Sequence, residues 1–147
     1  MEKINRVVIP IDTSVASKIA AEQGAFFAKL LNVDVSLISV NDSSEYMVSM
    51  LLEEKMKKEK QKILDEVKKL AETRGVKVKT ELKLGKPADE IVKFTNDDDL
   101  IVMASSGKEG FNKFLLGSVS EEVLRQAPCS VMIIKPKHRL NVDEFKI

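Results

Sequence analysis

A chain of 147 residues, 44% hydrophobic and 32% charged, suits one domain with a real buried core. With 24 Lys and Arg against 23 Asp and Glu, the net charge is +1, so no global field recruits nucleic acid or an anionic membrane. The absence of Trp and the single Tyr, Tyr46, argue against an aromatic platform for single-stranded nucleic acid, and one cysteine, Cys129, excludes an internal disulfide and points to a reducing compartment.

The opening MEKINRVVIPID has only a short apolar run, broken by Pro10. It is too short for the core of a signal peptide or for a membrane span, so the chain reads as a soluble cytoplasmic protein. Arg6 to Ile11 is a β-branched run suited to a strand buried on both faces. Ser14 to Asn32 places Ile19, Ala20, Phe26, Phe27, Leu30 and Leu31 at helical spacing, with Ser14 as N-cap. Val33 to Val40 reads as a second strand. A charged stretch from Glu45 to Arg74 follows, with Leu52, Met56, Ile63, Val67 and Leu70 forming one narrow apolar stripe of a long helix that Gly75 ends. Its run EEKMKKEKQK reads as a solvated face with room for a partner.

Val76 to Leu84 alternates as a half-exposed strand does, and GKPADEIVKFTN gives a short helix with Pro87 in its first turn. Asp99 to Ala104 is another buried strand, and the preceding Asn96 to Asp99 cluster reads as a solvated turn. Ser118 to Ala127 is a helix, and Ser130 to Pro136 a last strand, apolar on both faces. Strands alternating with helices predict an α/β fold: a single domain over residues 1–147, core about 4–136, tail 137–147, built on an open parallel five-stranded sheet of order 3-2-1-4-5 with helices on both faces.

In such a sheet, ligands bind outside the carboxyl ends of the strands, where the strand order reverses. That point lies between strands one and four. The stretch ASSGKEGFNKFLLGSVSEEVL, Ala104 to Leu124, therefore sits at the predicted crevice. Gly107 and Gly110 allow close backbone approach, and Gly117-Ser118 precedes a helix whose free N–H groups and positive dipole end favour a phosphate. A Gly-Ser pair before a helix is also an ordinary cap. The P-loop pattern and the dinucleotide fingerprint are both absent, and the chain lacks the phosphoryl acceptor of a response regulator.

The segments VVIPIDTS, GKPADEIVKF, DDLIVMASSG and above all LLGSVSEEVLRQAPCSVMIIKP resemble the small single-domain, ATP-binding branch of the universal stress protein family, from about Arg6 to Pro136. The family's nucleotide motif is Gly, two residues, Gly, nine residues, Gly, then Ser or Thr. Here Gly117-Ser118 places Gly107 at the second glycine and Ala104 at the first. The Arg or His common just before the second glycine is replaced by Ser106. The resemblance implies an adenine-nucleotide α-hydrolase-like fold. It implies that Asp12 meets the ribose or adenine side, that Pro10 shapes the strand end, and that Val40 lines the adenine pocket. Met103 and Ala104 then lie beneath the nucleotide and Gly107 approaches the phosphates, which Gly117, Ser118, Val119 and Ser120 cradle. If position 104 needs positive φ, the alanine costs roughly 1–2 kcal/mol; if not, its methyl only fills space.

The same resemblance implies ATP, with Mg²⁺ carried by it, as ligand. It also implies a homodimer through the last strand, where Val131, Ile133 and Ile134 are the interface residues; the alternative is that the tail covers this edge. No catalytic residue stands out. His138 lies beyond the last strand, Cys129 reads as a small buried residue, and no Cys/His cluster suggests zinc. Two classes follow: an ATP-binding regulatory stress-response module with at most slow hydrolysis and an unidentified protein partner, or a nucleotide-independent dimeric interaction module on the same fold.

Overall fold

The computed structural model describes residues 3–42, 50–105 and 117–135. These hold β1 (Arg6–Pro10), α1 (Val15–Leu31), β2 (Asp34–Asn41), α2 (Met50–Glu72), β3 (Val78–Leu84), α3 (Pro87–Phe94), β4 (Asp99–Ala104), α4 (Ser118–Gln126) and β5 (Ser130–Ile134). All four strand pairings are parallel, and the sheet order is β3-β2-β1-β4-β5, as the alternation of strands and helices predicts. Residues 1–2, 43–49, 106–116 and 136–147 lie outside the described set, and with them Ser106, Gly107, Lys108, Gly110, His138 and the tail. No helix among the described residues is long and apolar enough to cross a membrane.

Two apolar layers enclose the sheet. On one face α1 and α2 cover Val7, Ile9, Val35, Leu37 and Val102. On the other, Ile91 of α3 and Val123 of α4 meet Val8, Ile38, Ile101 and Met103. Period-two alternation sends neighbouring strand residues to opposite layers, which is why the central strands read as unbroken apolar runs. The face of α1 against the sheet is made of small residues, Ala16, Ala20, Ala21, Gly24, Ala25 and Ala28. They let the helix axis approach closely. At Gly24 a Cβ would collide with the fully buried side chain of Ile9 and touch Val102, so this mid-helix glycine is a packing requirement. Asn32, φ 58°, closes α1 in the left-handed region, and Gly75, φ 83°, does the same after α2.

Two expectations are corrected. The buried stripe of α2 is Leu64, Val67 and Ala71, about one residue round from the predicted line. Ile63 and Leu70 are half-buried at its margin, and Leu52 is 44% exposed. The second correction concerns the acidic turn before β4. Asp99 is buried, and only its neighbours reach solvent. Its carboxylate accepts from Arg6 Nε at 3.0 Å and Nη2 at 2.7 Å, and from the backbone N–H of Asn96 at 2.7 Å. Arg6 also donates to the Phe94 carbonyl and lies over the Phe94 ring, 4.6 Å from its centroid. Arg6 and Asp99 face each other in the β1–β4 register, so the pair clamps the two central strands at their amino ends.

Removing one member of a buried pair strands the other. Asp99→Ala is expected to lower unfolding free energy by about 2–4 kcal/mol, read by urea denaturation, with Arg6→Ala smaller because Arg6 keeps some contact with water.

Candidate functional site

The site begins with an interruption in the sheet. The β1–β4 ladder pairs Arg6 with Asp99, Val7 with Leu100 and Val8 with Ile101, then ends. Yet β1 stays paired to β2 as far as Pro10 and Ile38, and β4 to β5 as far as Ala104 and Ile134. Ile11 donates its N–H to Ile38 of β2, so the alternation turns position 10 toward β4. There Pro10 has no N–H to give. The two strands part at their carboxyl ends, at the place where the sheet order reverses.

A cavity of about 590 Å³ occupies this parting. Its floor is apolar, formed by Ile38 and Val40 of β2, Met103 of β4, and Pro87 and Ile91 of α3. Its rim is polar, formed by Asp12, Thr13, Ser14 and Ser17 on one side and Gly117 to Ser120 on the other. Asp42 and Lys60 complete the wall. The volume and the mix of a flat apolar floor with a few polar groups suit a small organic ligand.

Three helices begin at this cavity: α3 enters through Pro87, which has no N–H, and the starts of α1 and α4 form the polar rim, where they differ in one respect. The start of α1 is capped by its own side chains. The Ser14 side chain accepts from the Ser17 N–H, while Oδ1 of Asp12 accepts from the Ser14 N–H at 2.7 Å and from the Ser14 hydroxyl. The Ser17 hydroxyl in turn bonds the carbonyls of Asp12 and Ser14. The start of α4 is open. Its N-cap is Gly117, which has no side chain to cap with. The Gly117 N–H is spent on the Ser105 carbonyl at 2.6 Å, and the first bond within the helix comes from Glu121. The N–H groups of Ser118, Val119 and Ser120 therefore face the cavity rim without a helical partner. These orphan donors and the positive helix end are matched to an anion.

Pro10, Asp12, Val40, Met103, Ala104, Gly117, Ser118, Val119 and Ser120 all line this one cavity, while Gly107 lies outside the described residues. Ala104 is the last residue of β4, and Asn32 is the only non-glycine with positive φ among the described residues. The methyl at position 104 therefore carries no backbone strain. Ser120 is buried, and its hydroxyl donates to the Ala104 carbonyl at 2.8 Å, so it ties α4 to β4 and leaves only its N–H for a ligand. Asp12 has one oxygen committed to Ser14. Val131 and Ile133 pack toward the α3 and α4 layer and Ile134 toward the α1 and α2 layer. Thr13 and Asp42 belong to the strand ends, Pro10 to Ser14 and Ser39 to Asp42, that the sequence places at the crevice, whereas sequence reasoning did not single out Ile38, Lys60, Pro87 or Ile91 as lining residues.

Cys129 is half-buried outside the cavity, at the entry to β5. Burial pushes its thiol up, and the charge of Asp99 adds to this, so it stays protonated at neutral pH. Among the described residues no group of three or more His, Cys, Asp or Glu side chains is placed to hold a metal.

With this geometry in place, the chain matches the universal stress protein family over residues 3–135 and belongs to it. It is 41% identical over 138 residues to universal stress protein MJ0531 of Methanocaldococcus jannaschii, covering 88% of this chain and 81% of that one. It resembles the solved structure of MJ0577 from the same organism at TM-score 0.77 and 32% identity, covering 94% of this chain and all of that one. At 22% identity and TM-score 0.66 it also shares the fold of a universal stress protein from Archaeoglobus fulgidus in complex with dAMP, over 92% of this chain and all of that one.

Ser14→Ala removes the cap of α1 and is expected to cost about 1 kcal/mol. Ser120→Ala breaks the tie to Ala104 and is expected to cost a similar amount, about 1 kcal/mol. Both are read as shifts in the chemical unfolding midpoint.

Proposed function

From its membership of the universal stress protein family, we propose that this protein binds ATP or a related adenine nucleotide in the cavity between β1 and β4, and acts as a dimeric regulatory module. The observation that carries the reading is the open start of α4 beside the self-capped start of α1. Of the two helix starts that form the polar rim, that of α4 keeps three donors for a negatively charged group. The apolar floor of Ile38, Val40, Ile91 and Met103 suits a base, and the rim suits a sugar and phosphates. The dAMP complex on a related fold supports the same choice of ligand class. Magnesium enters with the phosphates rather than through a protein cage. The reading includes no catalytic step, and nucleotide binding is the activity proposed.

The dimer forms through β5. It is the last strand of the sheet and pairs on one side only among the described residues, with Val131, Met132, Ile133 and Ile134 half-buried along it. A second copy pairing along this edge covers an apolar strand that is a liability when bare.

Thermal unfolding with and without MgATP tests the nucleotide part. A ligand that binds only the folded state at 100 times its Kd stabilises by about 2.7 kcal/mol. The absence of any shift at millimolar MgATP would leave the nucleotide-independent dimeric module. Ser118→Pro is the sharper variant. Proline is favoured at the first helical position, so it deletes one N–H and preserves the helix. It is expected to weaken ATP by roughly tenfold without lowering the unfolding midpoint of the free protein. For the dimer, sedimentation at micromolar concentration is expected to give twice the chain mass.

A further inference from the structure

The buried face of α2 runs through Ala71, Val67 and Leu64. One turn further toward the N-terminus on that same face stands Lys60, followed by the half-buried Met56. A lysine is an unexpected continuation of an apolar stripe, because ammonium groups are rarely buried without a partner. Lys60 is half-buried, and it takes part in no hydrogen bond or ion pair with another described residue, whereas Lys57 on the adjacent turn pairs with Glu54. At this level the helix passes the carboxyl edge of the sheet, and Lys60 lines the cavity.

The charges of that wall can be compared. Among the described lining residues the ionisable groups are Asp12, Asp42 and Lys60. Carboxylates on that wall oppose a phosphate chain, and the positive charge at the start of α4 is only a partial one, about half an elementary charge. Lys60 is the one cation that the described wall offers. A compact ammonium on a flexible stem is suited to phosphate recognition as a point charge.

We propose that Lys60 is the specificity-determining residue of the cavity: its ammonium group binds the phosphates of the nucleotide, so that affinity follows ligand charge in the order ATP, ADP, AMP, adenosine. This rests on the nucleotide reading above and adds to it which member of the class the site prefers. It also explains why a cation stands on the buried stripe. A position that packing alone would fill with an apolar residue is given to ligand recognition, at a cost to stability.

Calorimetric titration of the full chain with ATP, AMP and adenosine, for wild type, Lys60→Gln, Lys60→Arg and Lys60→Leu, tests this. Lys60→Gln is expected to weaken ATP by about tenfold or more, to weaken AMP less, and to leave adenosine unchanged. Lys60→Arg is expected to keep most of the ATP affinity. Raising salt is expected to weaken ATP binding to wild type more than to Lys60→Gln. Lys60→Leu extends the apolar stripe, so it is expected to raise the unfolding midpoint of the free protein while weakening ATP as Lys60→Gln does. Those two opposite movements are the signature of a residue kept for binding. Unchanged ATP affinity in Lys60→Gln overturns the proposal. So does an equal loss for ATP and adenosine, or a lowered midpoint in Lys60→Leu, either of which makes Lys60 a packing residue. In those three cases wild type still binds ATP and the nucleotide reading stands. Failure of wild type to bind any of the three ligands removes both.

Discussion

The crevice exists because β1 and β4 are joined at one end and parted at the other. Arg6 and Asp99 hold the amino ends in register, with the guanidinium fixed further by the Phe94 carbonyl and ring. Pro10 withholds the hydrogen bond that would continue the pairing at the carboxyl end. A parallel sheet with crossovers in both directions from its centre has its strand order reverse at this pair. The reversal leaves a space between the loops, and the proline keeps the strands from closing it.

The helices inherit their roles from that split. The small-residue face of α1 lies close on β1 and β4, and its start is pinned by Asp12, Ser14 and Ser17. It forms a rim braced by its own side chains. The start of α4 is fixed differently, through Ser120 to Ala104 and Gly117 to Ser105, so its position is set while its donors stay free. Fixing the backbone in advance lowers what binding would otherwise spend on ordering it. The contrast between the two helix starts depends on a single choice at each N-cap, serine in α1 and glycine in α4.

The order of elements and the layer arrangement were legible because each central strand is a short β-branched run and each helix carries its own start or stop signal. Ser14, Gly75 and Pro87 behave as local rules say they should. The candidate cavity was legible from topology alone, since the carboxyl ends of strands one, two and four can be read directly. What escaped depends on contacts far apart in the chain. Asp99 sits in a run of acidic residues that looks solvated, and only the register with Arg6, 93 positions away, shows that it is buried. In α2 the stripe was misplaced by a residue because Leu52, Ile63 and Leu70 are as apolar as the residues that pack. Lys60 was hidden for the opposite reason, as one lysine among many in a charged stretch. Only the path of the helix past the sheet edge separates it from its solvated neighbours.

One short relay of peptide groups gives the fold a mechanical property. The Ser105 N–H bonds to the Ile134 carbonyl at the end of β5, and the Ser105 carbonyl takes the N–H of Gly117 at the start of α4. A single residue thus serves as a common hinge pin for the outermost strand and the open helix end. The two groups belong to the successive peptide planes that meet at the Ser105 Cα, so a displacement of that one residue is felt both at the margin of the sheet and at the helix start.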